Sequence, residues 1–232
     1  MTVQDEPVVL LAPEEEMVPE HALHQRLTDL VWAGLASRFA DEADVAVHCR
    51  LAWFPDRTDT RIRLDPDVFV AFGRPKRDRK SWRTWDEDGI GPAIIFEVWS
   101  DDDTDAQYRV RLGRARRYGV DEVILIDPFA PGGVRVEHLL AHPGDAGAWR
   151  TAAVSASAEQ PIVVERLGIS LTGGPTLVVA DETGPWPGIN DALGLARSQA
   201  ARADAEAARA EAGAARADRL AAQLRAAGID PD

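Results

Sequence analysis

A carboxylate interrupts a segment that otherwise has every mark of a buried strand. Residues 93–99 read Ala-Ile-Ile-Phe-Glu-Val-Trp, a run short and apolar enough to be covered on both faces, with Glu97 in its middle. An ionised carboxylate there costs several kcal/mol unless a cation, a base or a metal stands opposite it. The chain must therefore fold so that this strand meets charge. A paired structural glutamate on an arginine is the plain alternative.

Asp67 is the natural counterpart. It follows Pro66 at the head of a second apolar run, Val68-Phe69-Val70. If the two strands are neighbours, both carboxylates converge on one spot. Two such hard oxygen ligands suit Mg²⁺, which takes one or two carboxylates and keeps several waters. Taken alone, Asp67 reads as a turn residue after proline.

The pattern around these positions predicts alternating helices and strands. Leu23, Leu27, Leu30, Val31 and Leu35 recur at helical spacing, predicting a helix over 20–39. Residues 44–54 and 60–72 read as two β-runs, separated by Pro55-Asp56 turn chemistry. A basic loop with tryptophans spans 73–92, and a strand spans 92–99. A basic helix over 103–120 ends at Gly119, and a strand over 122–128 stops at Asp127-Pro128. Runs at 134–140, 149–154 and 161–167 predict an antiparallel extension. From 189 to 232 the composition turns to Ala, Arg, Glu and Asp, with alanines at spacings of three and four. That predicts one long helix, a candidate coiled coil through which copies of the chain could associate.

Charge and composition exclude several classes. The 232 residues hold 26 Lys and Arg against 39 Asp and Glu, a net charge of −13. Six of the acids lie in residues 1–20 with no base among them, so 1–19 reads as a flexible acidic lead-in. A surface that binds nucleic acid everywhere is excluded, because phosphate attraction is long-range. Two basic clusters nevertheless stand out: Arg74, Lys76, Arg77, Arg79, Lys80 and Arg83 in the loop, and Arg109, Arg111, Arg114, Arg116 and Arg117 on the helix. Solvated faces are the bland reading of both. The single cysteine, Cys49, rules out an intramolecular disulfide and a cysteine-based zinc cluster, and points to a reducing, cytoplasmic location. No apolar run is long enough to span a bilayer. There is no GxSxG elbow, P-loop or HExxH motif.

Asp67 after Pro66, Glu97 thirty residues on, then a basic helix and a strand resemble the PD-(D/E)XK nuclease core. More closely, PDVFVAFGRPKRDRKSWRTWDEDG (66–89), IIFEVWS (94–100) and RYGVDEVILIDP (117–128) resemble the Uma2 family of restriction-endonuclease-like proteins, a bacterial group. The tail ending LRAAGIDPD (224–232) is similar as well. The resemblance implies an α/β, restriction-endonuclease-like core over 20–188, with a central mixed sheet flanked by helices. It implies Asp67, Glu97 and the Val98 backbone carbonyl as ligands of Mg²⁺ or Mn²⁺, with Glu20 on the first helix as a further candidate. Glu20 serves equally as an acid complementing the helix dipole, and His24 lies one turn on, on the same face.

The superfamily lysine is missing. Its usual position two residues after the glutamate is Trp99, and the family's position on the following helix falls on Arg111. Arginine is a poor proton acceptor but can stabilise a phosphorane-like anion. Two functions follow. One is a Mg²⁺-dependent endonuclease acting on DNA through Asp67, Glu97 and Arg111, with Lys76, Arg77, Arg79, Lys80 and Arg114 on the phosphate backbone. The other is a catalytically weakened nuclease-fold protein that binds nucleic acid or serves assembly. Trp82 and Trp85 could stack on bases or fold back onto the core.

Overall fold

The computed structural model describes residues 22–100, 104–144 and 148–188. The expected lead-in over 1–19 and the helix beyond 189 lie outside the described residues. In chain order the elements are α1 (Ala22–Arg38), β1 (Val45–Cys49), β2 (Trp53–Phe54), β3 (Val68–Phe72), β4 (Trp82–Arg83), β5 (Ile94–Val98), α2 (Asp105–Arg117), β6 (Glu122–Asp127), β7 (Arg135–Ala141), β8 (Trp149–Ser155), β9 (Ile162–Val164), β10 (Ile169–Thr172), β11 (Val178–Asp181) and β12 (Gly184–Pro185).

The main sheet is mixed, six-stranded and ordered β1-β3-β5-β6-β7-β8. Its one parallel pair, β5 with β6, is joined by the α2 crossover, the only kind of link that keeps consecutive strands parallel. The central strands are apolar on both faces, as that position requires. On one face Val68, Val70, Ile94, Phe96, Ile124 and Ile126 pack with Leu27, Val31 and Leu35 of α1. On the other, Phe69, Ala71, Ile95 and Val123 pack with Ala115 of α2 and with Trp53 and Trp82. Glu97 belongs to this second face by strand alternation.

The second helix begins and ends as its sequence directs. A capping box opens α2, in which Thr104 accepts from the Gln107 amide and Gln107 accepts from the Thr104 amide. Gly119, with φ +92°, follows the cap residue Tyr118, a left-handed position that suits glycine.

Three expectations need correction. Residues 60–67 are not a strand: Leu64 makes a single bridge to Trp53, while Asp56 and Asp59 turn the chain through bonds to Thr58 and Arg61. The 44–54 run divides into β1 and the two-residue β2, which pairs with β4 rather than with the main sheet. Residues 161–167 do not extend the main sheet either. They open a second sheet, ordered β12-β11-β10-β9, which packs through Ile162, Val164, Leu171 and Val179 into the core beneath α1.

Arg38 ties α1 to that second sheet. Its Nε donates to the Leu167 carbonyl at 2.5 Å and its Nη1 to Glu182 at 2.7 Å. Gly168 lies under this guanidinium with φ +62°, where any Cβ would collide with it.

Candidate active site

Asp67 and Glu97 arrive from adjacent antiparallel strands. β3 and β5 pair in the register Val68↔Phe96, Phe69↔Ile95, Val70↔Ile94. One step further, Asp67 falls opposite Glu97, where Cβ atoms of facing residues stand roughly 4.5–5.5 Å apart. The Val98 amide donates to Asp67 Oδ2 at 2.8 Å, which fixes that carboxylate against the strand carrying Glu97.

Two side chains close on the pair, one from each helix. From α1, His24 Nε2 lies 3.3 Å from Asp67 Oδ2. From α2, Arg111 Nε lies 3.8 Å from Glu97 Oε2. Glu97 and His24 are each 7% exposed, whereas the Arg111 side chain is 38% exposed. The carboxylates therefore sit deep and the guanidinium toward the mouth. His24, Asp67, Glu97, Val98, Arg111 and Arg114 all line one cavity of about 350 Å³. The burial anomaly at Glu97 is thus answered by charge, as its sequence setting demanded.

The chemistry on offer is a pair of hard oxygen donors, a strand-end peptide at Val98, and positive charge at the rim. Among the described residues no group of three or more His, Cys, Asp and Glu side chains is arranged to hold a metal. Glu20 lies outside the described residues. His24 is the site residue that sequence reasoning underweighted, having noted it only as a neighbour of Glu20. Its signal was a histidine on the apolar face of the first helix.

The expected nucleic-acid contacts divide sharply. Arg114 is exposed and its guanidinium makes no hydrogen bond or ion pair with a described residue; Lys80 is likewise exposed. The others are engaged within the protein. Glu87, 2% exposed, accepts from Arg74 at 3.0 Å, Arg77 at 2.6 Å and Arg79 at 2.8 Å. Arg79 is flattened on Trp82, 4.4 Å from the ring centre, and Trp82 is fully buried with its indole N–H on the Ile90 carbonyl. Base stacking by Trp82 is accordingly replaced by a core role. Lys76 donates to the carbonyls of Phe39 and Ala40 at the end of the first helix.

That cluster shapes its own titration. Hydrogen bonds from Arg79, then from Arg77 and Arg74, outweigh burial and hold the Glu87 carboxyl at about 2. His48, 3.2 Å from Arg79 Nη1, is pushed down to about 4 by burial first and by the Arg79 charge second.

A sequence model of the family described as "Uma2: Putative restriction endonuclease" matches residues 14–174. Among solved structures, a similar chain is a "putative nuclease belonging to DUF820" from Anabaena variabilis. It is 14% identical with a TM-score of 0.46, over 62% of this chain and 73% of that one. No curated protein matches. No helix among the described residues is long and apolar enough to cross a membrane.

Proposed function

Because the chain belongs to the Uma2 family of putative restriction endonucleases, we propose that it is a metal-dependent endonuclease hydrolysing phosphodiester bonds in DNA. The observation that carries the reading is the convergence of Asp67, Glu97 and Arg111 on one cavity. A nucleic-acid-binding module would have no physical use for a carboxylate pair in that position.

The residues fit Mg²⁺ or Mn²⁺. Asp67 and Glu97 are hard donors on facing strand positions, and the Val98 carbonyl is the third ligand we assign. Such an ion would polarise the phosphoryl oxygen and offset the charge that builds on it. The chain's own groups do the rest. The Val98 amide and His24 hold Asp67 in one orientation. Arg111, permanently charged, offsets part of the negative charge of the pair before substrate enters and stabilises the transition state afterwards. Arg114 at the rim takes a flanking phosphate. Both lysines of the chain, Lys76 and Lys80, lie outside the cavity. No lysine is therefore at hand in the cavity to take the proton of the attacking water, and His24 is the neutral nitrogen base that lines it.

Incubation of supercoiled plasmid with the full-length chain and Mg²⁺ or Mn²⁺ tests this. Nicking that disappears with chelator and in Glu97→Gln is the expected result. Intact plasmid with both metals would overturn catalysis. It would leave the weakened, nucleic-acid-binding form, which arginine in place of lysine favours.

A further inference from the structure

Arg111 does not hold its position by Glu97 alone. At 3.8 Å the contact between them is an ion pair beyond hydrogen-bond range, so it attracts the guanidinium without orienting it. An aromatic surface stands beside the guanidinium as well. One turn back on α2, Tyr108 shares the face of Arg111, and the Arg111 Cζ lies 5.1 Å from the centre of its ring. Tyr108 is itself 8% exposed. Trp99, just past the end of β5, meets its ring at 4.7 Å and 66°, the edge-to-face geometry that aromatic pairs favour. The capping box formed by Thr104 and Gln107 fixes the helical turn from which Tyr108 projects.

We propose that Tyr108, backed by Trp99, is a positioning residue that holds the Arg111 guanidinium beside Glu97. The proposal rests on the nuclease reading for what Arg111 does there, though not for where it sits. A guanidinium is weakly hydrated and lies flat on a ring face at small desolvation cost. Contact with the ring disfavours side-chain rotamers that swing Arg111 into solvent at the rim. Trp99 stands two residues beyond Glu97, on the same face of the chain. It thus contributes to the site through packing rather than through a polar group.

The test is arginine-labelled ¹⁵N spectroscopy of the full-length chain, with the Arg111 Nε–Hε peak assigned by its absence in Arg111→Lys. The peak should be shifted upfield by the ring, keep that shift in Tyr108→Phe and lose it in Tyr108→Leu. In cleavage, Tyr108→Leu should lower kcat about tenfold with KM for DNA little changed, and Tyr108→Phe should restore it. The double variant Tyr108→Leu/Arg111→Ala should be no slower than Arg111→Ala, since Tyr108 acts only through Arg111. Trp99→Leu, read the same way, serves if Tyr108→Leu does not fold. An unshifted wild-type peak, or additive losses in the double variant, overturns the proposal. A shifted peak in a protein that cleaves nothing leaves the positioning intact and overturns the nuclease reading instead.

Discussion

The Asp67 carboxylate is fastened to the strand that carries Glu97, because the Val98 N–H donates to Asp67 Oδ2 at 2.8 Å. One side chain thus closes the end of the β3–β5 pair and presents a charge to the cavity. Asp67→Ala strips an acceptor from a buried amide and should lower stability by about 1–3 kcal/mol. Asp67→Asn, which keeps an acceptor oxygen, should cost less, while both abolish cleavage. Urea unfolding of the two variants beside the nicking assay separates the structural role from the chemical one.

Removing Glu87 should be among the most damaging single changes in the protein. It takes the shared acceptor from all three arginines. Arg79 is left buried, while Arg77 is half-exposed and Arg74 keeps Asp88, so the loss should be about 3 kcal/mol, the low end for breaking a buried pair. Glu87→Ala should show that loss in its urea midpoint. The Glu87 carboxyl titrates at about 2 when folded, below its ordinary 4.5. Its stabilisation is therefore complete above about pH 4.5 and drains away as pH falls toward 2. The variant should show a flatter acid limb than the wild type.

His48 should stay neutral well below the usual histidine range. Its folded value of about 4 lies under the ordinary histidine value of 6.5, so the unfolded chain binds the proton more tightly. Stability should accordingly fall as pH drops from about 6.5 to 4 and level off below. An NMR titration that places His48 near 6.5 would contradict this, and His48→Gln should remove that part of the slope.

Two arginines that look alike in the sequence should behave as opposites. Arg114→Ala, at an exposed guanidinium without a described partner, should leave Tm unchanged and reduce the salt slope of DNA binding by about 0.9. Arg79→Ala, whose side chain is 3% exposed on Glu87, should lower Tm. Equal effects of the two on DNA binding at matched stability would refute the distinction.

The legible parts were those in which local pattern and burial coincide. Glu97 and Asp67 declared themselves because apolar strands surround them, whereas Arg111 was reached through the family resemblance, since five arginines on one helix look alike in the sequence. His24 was hidden by distance along the chain: it meets Asp67 across forty-odd residues, and no local pattern encodes that meeting. Charge clusters proved ambiguous for a different reason. Arg74, Arg77 and Arg79 look like a phosphate-binding run, but one buried carboxylate, Glu87, claims all three. The second sheet escaped notice because its strands run two to four residues, too short for alternation to register.

The Arg38 anchor has a consequence for the order in which the molecule comes into being. The cavity is walled by residues between His24 and Ala115, yet the helix that carries His24 is gripped at its far end by Leu167 and Glu182. A chain emerging from the ribosome has all its cavity-lining groups several seconds before that grip exists, at roughly 5–20 residues per second. A nascent chain shorter than about residue 182 should therefore hold its first helix loosely. The site acquires its final geometry only after residues 167–182 have been made.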